Sequence, residues 1–168
     1  MSDETQAAAA AQPNAAENAP DVQVRAQFIR DVSFEAPNGP LPLVGAKSQP
    51  NINVQMNVRH RPIQGIGYEV VLALKAESKL GEQALFLCEV DYAALVSLKE
   101  GLDEERTKEC LLVEVPRLLF PYSRRTAADL VQEGGFPPLV LNPVDFKQFA
   151  ANATVVEPGQ TPGDATIQ

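Results

Sequence analysis

The sequence predicts an α+β domain in which a four-stranded antiparallel sheet carries a long kinked helix and a short C-terminal helix on one face. Two observations lead to this prediction. From residue 22 to about residue 92, apolar and polar side chains alternate in four segments, which is typical of strands with one buried face. From about residue 102 the alternation gives way to helix-start signals and a long apolar stretch interrupted by prolines. Strands followed by helices form a domain with the helices on one face of the sheet.

The first three predicted strands span about 22–35, 51–59 and 67–79, and a fourth, with residues from Ala84 to Tyr92, follows the turn Leu80-Gly81-Glu82. Alternation assigns the side chains of each strand to two faces. The inward face of the first strand is predicted to carry Val22, Val24, Ala26, Phe28, Val32 and Phe34, and the outward face Ile29, Asp31, Ser33 and Glu35. The inward face of the fourth strand is predicted to carry Ala84, Phe86, Cys88, Val90 and Tyr92, and the outward face Leu85, Leu87, Glu89 and Asp91.

The long helix is predicted over about 104–132. Acidic residues at its start suit the helix dipole, and Gly134-Gly135 is predicted to end it. Its kink is predicted near Pro116 or Pro121, because proline removes a backbone donor. A last helix is predicted after Asn142, which can cap it with Pro143 at the first helical position.

Composition divides the 168 residues into one domain and two tails. Residues 1–20 are rich in alanine and residues 154–168 are rich in proline, glycine and polar side chains, so both are predicted to be disordered tails around a domain at 21–153.

The formal net charge of -8 argues against nucleic-acid binding. The acidic start predicts no secretory signal, so we expect a cytoplasmic protein. Charges and prolines break every apolar stretch, so we expect no membrane insertion. In a reducing cytoplasm Cys88 and Cys110 are expected to be free thiols.

The sequence offers little catalytic chemistry. Its single histidine, His60, is predicted to lie at a strand end between Arg59 and Arg61, whose charges disfavour its protonation. Two distant cysteines and one histidine do not make a zinc site, and Gly65-Ile66-Gly67 lacks the third glycine of a dinucleotide loop. We therefore expect no enzyme activity, no catalytic residue, no metal and no cofactor.

Two surfaces suggest binding instead. The outward face of the first and fourth strands presents carboxylates around leucines, which suits a basic or zinc-bearing module with apolar anchors. A proline-shaped apolar surface is predicted from the segments 41–44, 118–122 and 136–139, and suits an extended apolar chain. For any single residue of that second surface, a place in the core or in a subunit interface remains an alternative.

Four motifs together resemble the SecB family of protein-export chaperones. They are Arg30-Asp31-Val32-Ser33-Phe34-Glu35-Ala36-Pro37-Asn38, the pair Leu80-Gly81-Glu82 and Phe86-Leu87-Cys88-Glu89-Val90, then Leu119-Phe120-Pro121-Tyr122-Ser123-Arg124, and the stretch from Gly135 to Phe146. The resemblance covers about 22–150 in the family's order.

The resemblance implies a homotetramer, a dimer of dimers, that binds unfolded precursor proteins without ATP and delivers them to the SecA translocation ATPase. It implies SecA-binding roles for Asp31, Glu35, Leu87 and Glu89. It implies roles in tetramer assembly for Cys88, Val90 and Tyr92. For the substrate groove, the apolar pattern favours Leu43, Val44, Phe120, Phe136 and Leu139.

Two other functions remain open at this point. One is a SecB-like chaperone dedicated to a single client such as an antitoxin, which a narrow client range would favour. The other is an enzyme or small-ligand binder on the same fold, which turnover lost on mutating His60 would favour.

Overall fold

A computed structural model describes residues 20–152 of the protein. Four strands, β1 (Val22–Glu35), β2 (Asn51–Ile63), β3 (Gly67–Leu80) and β4 (Gln83–Leu98), form one antiparallel sheet in the order β1-β4-β3-β2. The predicted antiparallel sheet is therefore confirmed, and β1 and β2 are its edge strands. The predicted tails at 1–20 and 154–168 lie outside the described residues, apart from Pro20.

Three helices follow the sheet in the described part of the chain: α1 (Glu104–Glu109), α2 (Val115–Glu133) and α3 (Phe146–Asn152). A π-helical turn, Cys110–Glu114, joins α1 to α2, so the helical path runs without a break from 104 to 133. Proline lacks the N–H of a regular turn, and its ring crowds the carbonyl four residues earlier. The wide turn ends two residues before Pro116, where it accommodates that ring.

The ends of the long helical path have simple causes. The Asp103 carboxylate accepts a hydrogen bond from the Arg106 N–H at 2.7 Å, which caps α1. At the other end Gly135 adopts a φ of 86°, and the Phe136 N–H donates to the Val131 carbonyl at 3.2 Å. This is a Schellman ending, so the predicted stop at Gly134-Gly135 is confirmed.

The core lies between the sheet and the helices, because α2 packs on β4 and β3. The buried side chains from both layers include Val70, Leu72, Leu74, Phe86, Val90, Leu119, Val131 and Phe146. Phe34 of β1 closes one end of this core, since its ring lies 5.8 Å from that of Phe86 and 6.3 Å from that of Phe136.

Two irregularities in β1 correct the face assignment made from alternation. The pairing of β1 with β4 shifts between Val24 and Ala26, and again between Ile29 and Asp31. Each shift inserts one extra residue into β1, so every side chain after it lies on the opposite face from the one that alternation continued across that shift predicts. The stretch between them is therefore inverted: Phe28 pairs with Ala93 on the outer face, and Ile29 pairs with Tyr92 on the helix side.

Two further predictions need correction. Leu85 sits in a bulge of β4, between the pairs Ser78–Phe86 and Lys79–Ala84, and its side chain is buried in the core rather than outward. The last helix starts later than predicted, because Asp145 rather than Asn142 caps it. The Asp145 carboxylate accepts hydrogen bonds from the N–H groups of Lys147 at 2.9 Å and Gln148 at 3.3 Å.

Candidate functional site

The outer face of the sheet, turned away from the helices, brings together the four residues predicted for docking. Glu35 pairs with Leu87, and Glu89 lies opposite Ser33. Asp31 lies on the same face, opposite Asp91. We call Asp31, Glu35, Leu87 and Glu89 the acidic end of the outer face. The structure places these four residues on one face, as alternation predicts. Their role in docking stays a prediction.

The carboxylates of the acidic end differ in how they are compensated. Glu89 accepts from the Ser33 hydroxyl at 3.4 Å and from the Lys75 ammonium at 3.2 Å. Asp31 and Glu35 are exposed and form no ion pair within residues 20–152. Two negative charges therefore remain available for a cationic partner.

Asp31 stands opposite a second carboxylate, Asp91, across the pairing of β1 and β4. Like charges in directly opposed positions destabilise a sheet. Arg59 forms an ion pair with Asp91 and offsets one of the two charges, but the other is retained without an ion-pair partner in the described chain. The outer face therefore keeps one uncompensated carboxylate, that of Asp31, at this position.

The residues predicted for tetramer assembly lie on the helix side of β4. Cys88 and Val90 are fully buried within the protomer, and Tyr92 is partly exposed. Around Tyr92 the helix side carries exposed apolar side chains from β1 and α2, which we call the helix-side apolar surface: Val24, Ile29, Val32, Leu118 and Tyr122.

The predicted groove residues divide into two groups. Phe120, Phe136 and Leu139 are core residues with at most 6% of their surface exposed, which corrects the expectation that they line an open surface. Leu43 is partly buried in the turn Leu41–Leu43, and Val44 is 80% exposed. Leu41 and Val140 are also highly exposed.

The described residues hold no group of His, Cys, Asp and Glu side chains arranged to bind a metal ion. Burial lowers the pKa of His60, so the cause is desolvation rather than the neighbouring arginines. The Nδ1 atom of His60 is buried without a hydrogen-bond partner. No helix between residues 20 and 152 has the length and apolar character needed to cross a membrane.

Alternation missed a second group of residues on the outer face. Arg30, at the second shift of β1, donates to the Glu69 carboxylate at 2.7 Å, and Arg61 of β2 donates to the same oxygen at 2.5 Å. The Glu69 side chain is only 7% exposed, and its hydrogen bond from Arg61, ahead of the charge of Arg30, holds its pKa below the usual range. Alternation carries no signal for this group, because only the strand register and the shift at Arg30 bring the three side chains together.

Comparison with known proteins identifies the family. The family model described as preprotein translocase subunit SecB matches residues 15–155. The chain is 41% identical over 138 residues to the protein-export protein SecB of Agrobacterium fabrum, a match that covers 82% of this chain and 86% of that one. It is 43% identical over 131 residues to the protein-export protein SecB of Hyphomonas neptunium, with 77% and 76% covered.

A solved structure shares the fold at low sequence identity. It is a SecB-like chaperone of Mycobacterium tuberculosis in complex with a ChAD peptide from an antitoxin. The two chains superpose with a TM-score of 0.61 at 17% identity, covering 74% of this chain and 91% of that one. The structure shows the shared fold, and the family-model match and the sequence relatives establish that the chain belongs to the SecB family.

Proposed function

We propose that this SecB-family export chaperone is an ATP-independent holdase that binds unfolded precursor proteins in the cytoplasm and delivers them to the SecA translocation ATPase. The names of its sequence relatives support a role in protein export. Binding an unfolded chain lowers the free population able to fold or aggregate. This function needs no bond making, and we assign the protein no enzyme activity, metal or cofactor.

One observation carries the docking step: Asp31 and Glu35, both without an ion-pair partner in the described chain, share an open sheet face with Leu87, which pairs directly with Glu35. A basic module of SecA with an apolar anchor fits this arrangement. Its cations relieve the repulsion between Asp31 and Asp91, and Leu87 supplies apolar contact. Glu89 adds a third carboxylate that already shares the charge of Lys75.

A homotetramer, a dimer of dimers, accounts for the helix-side apolar surface. A monomer seldom exposes neighbouring large apolar side chains on both a strand and the helix above it. Burial of this surface against a second copy offers the hydrophobic contribution that assembly needs. Cys88 and Val90 then act from the core by fixing β4, while Tyr92 lies at the edge of the interface.

The client groove follows from the exposed apolar segments. Leu43 and Val44, with Leu41 and Val140, offer contacts to an extended apolar chain. Phe120, Phe136 and Leu139 belong to the buried core, so we assign them no direct contact with a client. Apolar contacts recognise no particular sequence, so such a groove accepts many clients.

The single-client alternative is retained for one reason: the structural neighbour was solved with an antitoxin peptide. That protein is only 17% identical to this chain, whereas the export proteins are about 41% identical. Capture of many unrelated unfolded precursors supports the general holdase, and capture of one protein supports the alternative.

The decisive experiment combines Asp31→Ala with Glu89→Ala and measures SecA affinity by calorimetry at low and high salt. The double variant is expected to bind SecA about tenfold more weakly at low salt, with a smaller loss at high salt, because salt screens exposed charges. Its mass by light scattering and its uptake of a denatured precursor should match those of the wild type. Unchanged SecA affinity contradicts the docking proposal.

A further inference from the structure

The outer face has a second end with the opposite charge. The two shifts in β1 place Phe28 outward beside Leu95 of β4, since Phe28 pairs with Ala93 and Ala26 pairs with Leu95. Both side chains are partly exposed. Four arginines surround them: Arg25, Arg30, Arg59 and Arg61. We call these six residues the arginine-rimmed end.

The cations of the arginine-rimmed end are only half compensated. Arg30 and Arg61 share one carboxylate, Glu69, and Arg59 pairs with Asp91. Arg25 donates its Nε–H to the Ser97 hydroxyl at 3.1 Å and forms no ion pair within residues 20–152. Four guanidinium groups thus meet two carboxylates, which leaves a net charge of +2. The side chains of the three paired arginines remain 42–57% exposed.

The strand pairing makes the two ends continuous. Two residues along β4 separate Ala93, opposite Phe28, from Asp91, opposite Asp31. At about 3.4 Å per residue, roughly 20 Å of strand joins Leu87 to Ala93. A partner that covers the acidic end is therefore close enough to reach the ring of Phe28.

We propose that the arginine-rimmed end is a second subsite of the SecA-docking face, which takes an apolar side chain flanked by carboxylates from SecA. This inference rests on the proposed SecA docking and extends it. Phe28 receives the apolar side chain, and the two uncompensated positive charges attract the flanking carboxylates. A face that is negative at one end and positive at the other fixes the direction in which the partner lies.

The test measures the affinity of full-length SecA for four variants at low salt. Phe28→Ala should weaken binding about tenfold, as expected for loss of a buried aromatic anchor, and this loss should persist at high salt. Arg25→Glu should weaken binding severalfold at low salt, because it removes one attraction and adds a repulsion. Gln27→Ala, in the same stretch but on the helix side, is the matched control and should bind normally.

The pattern of results separates the two proposals. The fourth variant, Asp31→Ala with Glu89→Ala, reports on the acidic end alone. If this double variant loses affinity for SecA while Phe28→Ala and Arg25→Glu bind normally, the subsite proposal is wrong and the docking proposal stands. If none of the variants changes affinity, the docking proposal itself fails. Tighter binding by Arg25→Glu means that a basic segment covers this end, which also overturns the subsite.

An acidic segment of this chain is the alternative occupant of the arginine-rimmed end that a further variant tests. Residues 1–19 contain Asp3, Glu4 and Glu17 and no lysine or arginine, and they precede β1. The full-length variant Asp3→Asn, Glu4→Gln, Glu17→Gln tests this occupant. If Arg25→Glu no longer affects SecA binding in that background, the chain's own segment occupies the subsite and the proposal is wrong. If Arg25→Glu retains its effect, the SecA segment is supported.

Discussion

The ring of Tyr92 on β4 stacks on the ring of Tyr122 on α2, with centroids 5.8 Å apart and an interplanar angle of 16°. This stack links the sheet to the helix at the rim of the protomer, where half of the Tyr122 surface is exposed. Tyr122 therefore belongs both to the protomer and to the helix-side apolar surface.

Tyr122→Ser is expected to weaken assembly. The substitution removes part of the apolar surface that a second copy is proposed to cover, worth about 1–2 kcal/mol of association energy per protomer. Light scattering over a range of protein concentrations should show dissociation into smaller species at concentrations where the wild type keeps its full mass. Val140→Ser, which changes an even more exposed apolar residue outside this surface, should keep the wild-type mass. A Tyr122→Ser protein with the wild-type mass at every concentration contradicts the proposed interface.

Gly134→Ala is expected to destabilise the protomer for a steric reason. A Cβ atom at Gly134 would clash with Cζ of Phe34, whose ring is held beside Phe86 and Phe136. Forcing such a contact in a packed core costs about 1–3 kcal/mol. Urea unfolding should show this loss, and adding Phe34→Leu should recover part of it because the clashing ring atom is gone. A Gly134→Ala protein as stable as the wild type shows that the ring moves freely.

Alternation predicted the sheet well but could not locate its irregularities. On β2, the residues from Val54 to Val58 face the way their parity predicts, because that pairing with β3 runs without a shift. On β1 the extra residue at each shift is an arginine, Arg25 or Arg30, rather than a glycine. The sequence therefore contains no residue there that is typical of a bulge. Phe28 and Ile29 exchanged faces for that reason.

Some residues of the candidate site were predictable from alternation, and others were not. Asp31 and Glu35 lie beyond both shifts, whose effects cancel, so their outward position followed from simple alternation. The burial of Phe120 and Phe136 could not be read from sequence, because an apolar side chain next to proline suits both a core and a groove. Only the packing of α2 and the following segment on the sheet decides between them.

The paired Glu69 carboxylate predicts a stability change in acid. Its pKa is lowered from the ordinary 4.5, chiefly by the hydrogen bond from Arg61. A depressed carboxyl pKa contributes stability that is present above the unfolded pKa and is lost as the pH falls through the folded pKa. The wild type should therefore lose stability from about pH 4.5 downward.

Glu69→Gln isolates this contribution. We expect it to lower the free energy of unfolding by about 1–3 kcal/mol at pH 7, and by much less well below the folded pKa, where the wild-type carboxyl is also protonated. Urea unfolding at both pH values measures the difference. Glu77→Gln is the matched control on the same strand, because its ion pair with Lys79 is exposed and surface pairs contribute little. An equal effect of Glu69→Gln at both pH values contradicts the assignment.

The two natural thiols are expected to resist modification in the folded protein. Cys88 and Cys110 are free and buried. Burial, with the charge of Glu89, raises the pKa of Cys88 to about 11, and burial also raises the pKa of Cys110. The thiolate is the reactive form, so at pH 8 only about one Cys88 thiol in a thousand is ionised. A colorimetric disulfide reagent should titrate neither cysteine in native protein and both in urea, whereas Leu41→Cys, at a highly exposed position, should react at once. Rapid native reaction of a natural cysteine would mean that the segment around that thiol opens readily, which contradicts the buried position of both thiols.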